Sequence, residues 1–82
     1  MFHMEQPSET QRIAAHVAAT IHESGMTVVA VCDKTGIPRT TMNRRLSGLS
    51  PFNVNELARV AGALRIPVAE LVEPLTREAA TA

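Results

Sequence analysis

Thr27-Val28-Val29-Ala30-Val31-Cys32-Asp33-Lys34-Thr35-Gly36-Ile37-Pro38-Arg39-Thr40-Thr41-Met42-Asn43-Arg44-Arg45-Leu46-Ser47-Gly48 is the stretch on which the fold turns. Its first part is apolar, its last part polar and basic, and a glycine divides them. Thr27 has the chemistry of an N-cap, and Val28 to Thr35 leaves room for about two turns of helix. Taken alone, the β-branched run from Val28 to Cys32 reads equally well as a buried strand. No second strand signal exists anywhere in the chain for it to pair with, so a helix is expected. Gly36 supplies a turn and Ile37 a buried plug. Pro38 suits the start of the next helix, where its missing N–H has no consequence. That helix reads Arg39 to Ser47 and ends at Gly48. Only Met42 and Leu46, spaced four apart, can serve a core, so most of it looks outward.

Outward from this stretch the helical pattern repeats. Pro7 followed by Ser8-Glu9-Thr10-Gln11 has the form of a capping box, in which Ser and Gln satisfy two amides reciprocally. Ile13, Val17 and Ile21 then recur every four residues, with Arg12, His16 and Glu23 left to face water, until Gly25. Beyond a loop at Leu49-Ser50-Pro51-Phe52, in which Phe52 turns inward, Asn53-Val54-Asn55-Glu56 is a second capping box. It opens an apolar stripe of Val54, Leu57, Ala58, Val60, Ala61 and Leu64, the mark of a central, well-buried helix. Arg65-Ile66-Pro67 breaks it, and Val68, Leu71 and Val72 make a short fifth helix that ends near Pro74. Residues 1–7 show no periodicity and read as a flexible N-terminal arm, residues 76–82 as a disordered tail, leaving 8–75 as the domain. The expectation is an all-α fold of five short helices. Two helices joined by a short turn containing glycine are the sequence form of a helix-turn-helix, here helices two and three.

Composition narrows the function. Eighty-two residues allow one small domain. A single cysteine makes no internal disulfide and points to a reducing, cytoplasmic setting, with Cys32 serving as packing. No apolar run approaches the roughly 18 residues of a membrane span, and no secretion signal opens the chain. Two Phe with no Trp or Tyr are too few for the stacking platforms of single-strand binders. His3, His16 and His22 lack companions at ligand spacing, so no metal is expected. The acids are scattered, and there is no Gly-rich phosphate loop or nucleophile motif, so neither an enzyme nor a cofactor is expected.

The ordered residues resemble the Cro/repressor-like helix-turn-helix family, also known as the XRE or lambda-repressor-like family. The similarity runs from Gly25 to Leu71, more than half of the chain. It comprises the Gly25-x-Thr27 entry, Val31-Cys32 at the packing pair, Gly36-Ile37 at the turn, Met42 as the buried residue of helix three and Gly48 as its terminator. Glu56-Leu57, Val60-Ala61, Leu64 and Ile66 follow in helix four, and Pro67-Val68-Ala69-Glu70-Leu71 in helix five. Val28 departs from the Gln that often clamps a phosphate after the cap of helix two. Leu46 departs from the acidic or other polar residue common two positions before the terminal glycine of helix three.

The resemblance implies a five-helix lambda-repressor-like domain whose third helix enters the major groove of double-stranded DNA. It places Arg39, Thr40 and Arg44 nearest the bases, with Asn43 on the same side. Side-chain chemistry agrees, since Arg matches guanine O6/N7, Asn pairs with adenine, and the Thr methyl packs on thymine. Phosphate contacts are expected from Lys34, Thr41, Arg45 and Ser50, and from the first amides of helices two and four, capped by Thr27 and Asn53. Asn55 adds a hydrogen bond. The function expected is a sequence-specific transcriptional regulator of phage or prophage repressor or Cro-like type, a homodimer on a pseudo-palindromic operator. Helix five (Leu71, Val72, Leu75) or the arm (Phe2, Met4) offers a dimer surface; either set can instead close over the monomer's own core. An antitoxin-like or adaptor protein docking another protein through helix five and the tail is the alternative, and a purely structural module the third reading. The net charge of zero does not oppose DNA binding. Lys34, Arg39, Arg44 and Arg45 stand in a stretch to Asn55 without an acid, so a basic face is offset by an acidic remainder.

Overall fold

Both capping boxes close. In the computed structural model, which describes residues 8–75, the Gln11 amide donates to Ser8 Oγ at 3.1 Å and the Ser8 amide to Gln11 Oε1 at 3.0 Å. The Glu56 amide donates to Asn53 Oδ1 at 2.7 Å and the Asn53 amide to Glu56 Oε1 at 3.0 Å. They start α1 (Glu9–Glu23) and α4 (Val54–Leu64). Between them lie α2 (Val28–Thr35), capped by the Thr27 hydroxyl, and α3 (Arg39–Leu46), which Pro38 introduces without a side-chain cap. α5 (Val68–Leu71) is a single turn, and residues 73–75 form one more. The described residues are all-α. The expected arm and tail, residues 1–7 and 76–82, lie outside them.

Each helix contributes one side chain with no exposed surface: Val17 from α1, Val31 from α2, Met42 from α3, Val60 from α4 and Leu71 from α5. Ile13, Ile21, Cys32, Ile37, Leu57 and Ala61 fill in around them, and Leu46, Phe52, Leu64, Val72 and Leu75 cover the edges. Burial pushes the Cys32 thiol pKa up, which keeps it un-ionised as packing requires.

The turn between α2 and α3 is built locally. Gly36 takes a left-handed φ of 78°, and its amide donates to the Cys32 carbonyl at 2.9 Å. Thr35 Oγ1 donates to the Val31 carbonyl at 2.8 Å and accepts from the Ile37 amide at 3.2 Å. Ile37, 3% exposed, then pins the corner to the core. This corner sets where α3 stands.

Two packing details differ from the sequence pattern. Val54 is 78% exposed and Ala58 is also exposed. At about 100° per residue, the buried face of α4 is centred between Leu57 and Leu64, and Val54 and Ala58 lie past its edge. The other is His16, which does not simply face water: its Nε2 lies 2.6 Å from the Glu70 carbonyl oxygen, an N–H donor tying α1 to α5. The ambiguity over helix five resolves toward the core: Leu71 is fully buried, and Val72 and Leu75 pack against the cluster.

Candidate nucleic-acid interface

α3 has one buried residue, Met42, and Leu46 half-buried beside it. Arg39, Thr40, Asn43 and Arg44 are all exposed. At about 100° per residue they occupy an arc of roughly 140°, so the structure brings the four expected base-reading side chains onto one face. None of the four side chains has a hydrogen-bond or ion-pair partner among the described residues. The first-turn amides of α3 have no side-chain cap. The face therefore presents two free guanidinium groups, an amide and a hydroxyl, all available to an outside partner.

The other expected phosphate-binding groups are as follows. Thr27 caps α2 through the Ala30 amide at 3.0 Å, leaving the Val28 and Val29 amides for an acceptor from outside. Asn53 caps α4 in the same way, and Asn55 is exposed on that helix's first turn. Thr41 is half-buried on the flank of α3. Helix N-termini carry partial positive charge as well as open donors, so both can hold a phosphate without a cation.

Arg45 departs from the expectation. It lies about 170° round the helix from the centre of the arc, and each of its three guanidinium nitrogens donates a hydrogen bond within the protein. Nε donates to Glu56 Oε1 at 2.8 Å, Nη2 to Glu56 Oε2 at 3.2 Å and Nη1 to Ser50 Oγ at 2.6 Å. This bidentate pair fastens the last turn of α3 to the first turn of α4. Arg45 and Ser50 thus hold α3 in place, and the Arg45 charge is already answered by a carboxylate. Lys34 is also not drawn to the reading arc: it lies at the end of α2 beside Arg59 and Arg65 of the α4 region. Sequence separation hid both facts, since Arg45 and Glu56 are 11 residues apart across a loop.

Glu56 is only 8% exposed. The Arg45 hydrogen bond outweighs the desolvation that opposes it and, with the Asn53 amide, holds the carboxyl below its usual pKa. The unfolded carboxyl, near about 4.3, therefore takes up its proton first as pH falls. The stability that Glu56 contributes is complete above that value and is lost as pH drops through the folded pKa. Glu56→Gln keeps a capping-box residue but loses the charge. In urea titrations its deficit against the parent should be largest near neutral pH and shrink as the pH falls below the unfolded carboxyl's pKa and through the lower folded one. A deficit independent of pH would show that the charge contributes nothing.

Among the described residues no three His, Cys, Asp or Glu side chains are grouped to hold a metal, and no helix is long and apolar enough to cross a membrane.

Two short helices set at a glycine corner, the second presenting a polar basic face, define a helix-turn-helix DNA-binding domain. The profile of the Cro/C1-type helix-turn-helix DNA-binding domain matches residues 16–76, well over half of the chain, and the protein belongs to that family. No curated protein and no solved structure matches it at a significant level.

Proposed function

We propose that the protein is a sequence-specific transcription regulator of repressor or Cro-like, phage or prophage type, acting in the cytoplasm and without a catalytic role. α3 reads the major groove, with Arg39, Thr40, Asn43 and Arg44 at base edges. The observation that carries this reading is the free, exposed arc of those four residues around the single buried Met42. Thr27, Thr41, Asn53 and Asn55 with the first amides of α2 and α4 hold phosphates, while Arg45 and Ser50 act from within.

Reading by one helix discriminates weakly, so two copies meet on a pseudo-palindromic site. Leu71, Val72 and Leu75 are engaged in the monomer's own core, which weakens both a dimer and a protein partner at helix five. Among the described residues Val29, Leu49, Val54 and Val68 are the exposed large apolar side chains, with Leu49 and Val54 the most exposed at 72% and 78%. On such a site the duplex itself holds the two copies in register.

Selection of bound sequences from a random duplex pool tests this reading: a two-fold-related consensus is expected, and no enrichment would overturn it. The salt dependence is also defined. Four cations per protomer would give a log–log slope of about −7 for a dimer. With Arg45 paired and Lys34 turned elsewhere, Arg39 and Arg44 leave four per dimer and a slope of about −4. A measured slope near −7 would return Arg45 and Lys34 to the phosphate set.

A further inference from the structure

We infer that the basic groove between the C-terminal halves of α2 and α4 docks a carboxylate-rich segment of a partner protein. An open concavity of about 520 Å³ is lined there by Lys34, Thr35, Arg59, Gly62, Ala63 and Arg65. Its volume falls within the roughly 300–1,000 Å³ of ligand clefts. Lys34, Arg59 and Arg65 are exposed, and none of them is ion-paired among the described residues. Three cations line one hollow and repel one another; Glu56 acts on Arg59 only through space, its hydrogen bonds going to Arg45 and the Asn53 amide, and no carboxylate lines the groove itself.

A second observation comes from α4 itself. Glycine favours helix ends and alanine helix interiors, because glycine has the most backbone freedom to lose and a left-handed terminus suits it. α4 does the reverse. Gly62 sits inside the helix, where an added Cβ would meet nothing within 4 Å, so no packing within the monomer requires it. Arg65 occupies the left-handed C-cap at φ 60°, a conformation that disfavours a side chain. Both locally unfavourable choices line the same groove. Gly62 keeps its floor open so that a partner's backbone can come close, and Arg65 places a cation at its rim.

The chemistry of the lining selects the occupant. With no aromatic and no large apolar side chain, it offers nothing to a nucleobase or to an apolar small molecule. Duplex phosphates are disfavoured by position. On the DNA reading above, the N-termini of α2 and α4 face the duplex, and the groove begins roughly 10 Å further along both helices. Carboxylates on an extended or helical protein segment match three cations above a small-residue floor.

The test follows backbone amide resonances of the full chain during titration with a hexaglutamate peptide at low salt, with and without bound duplex. Shifts centred on Thr35, Gly62 and Ala63, unchanged by duplex, are expected. Gly62→Leu fills the floor without altering charge, and Arg59→Gln removes a cation; each should weaken the peptide at least fivefold while leaving DNA affinity within about twofold. Absence of binding, shifts confined to Thr40–Arg44, displacement of the peptide by duplex, or duplex alone shifting Gly62 and Ala63 would each overturn the inference. The peptide titration without duplex stands apart from the DNA reading, so failure of one does not imply failure of the other.

Discussion

Met42→Ala is expected to lower the free energy of unfolding by about 2–5 kcal/mol. A domain of this length has only about 4–12 kcal/mol in total, so the variant should be partly unfolded or close to it near physiological temperature. The reason is placement. Met42 is fully buried and is the only wholly buried side chain that α3 contributes. Truncating it removes the transfer term and leaves a cavity at the junction of α3 with the rest of the core. Each kcal/mol shifts the melting midpoint of so small a domain by roughly 4–8 °C, so thermal unfolding should show a drop of at least about 8 °C. Met42→Leu, which conserves volume, should lose less than about 1.5 kcal/mol. Equal behaviour of the two variants would mean that the site is less tightly packed than its burial implies.

Arg44→Ala should weaken binding to the selected duplex by about 1–3 kcal/mol, or roughly 5- to 150-fold, with preference relaxed at a single base pair. Arg44 is exposed and unpaired, so removing it disturbs no internal contact and the effect belongs to the complex. Circular dichroism should confirm unchanged stability. Arg39→Ala is expected to behave alike at a neighbouring position. Binding of the Arg44 variant to a panel of single-base-substituted duplexes decides the matter. A loss equal across the panel would place Arg44 on phosphate and remove it from the reading set.

The local features of this chain were legible because their causes are local. Ser8 with Gln11, Thr27, Asn53 with Glu56, and Gly36 each act through neighbours within three or four residues, and every one marks the boundary it implies. The four-residue arc on α3 follows from helical spacing alone. The role of Arg45 does not: periodicity places it off the reading face, but only the return of α4 brings Glu56 to it. Val54 misled for a related reason, since a stripe in sequence does not say which edge of the stripe the core reaches. The basic groove was hidden by the division of the chain into a basic stretch and an acidic remainder. Its cations come from both sides of that division, Lys34 from one and Arg59 and Arg65 from the other.

α3 fastens to the domain by Met42 and by the Arg45–Glu56 pair, both on the side away from Arg39, Thr40, Asn43 and Arg44, and by Leu46 at the edge of that arc. Substitutions at exposed positions away from such contacts usually shift stability by no more than about 0.5 kcal/mol. On the proposed reading, the residues that choose a target are thus largely separate from the residues that keep the domain folded. A lineage carrying this domain can exchange one target for another by single substitutions without passing through an unfolded intermediate, and divergence of targets among descendants is limited by what their DNA requires rather than by what the fold tolerates.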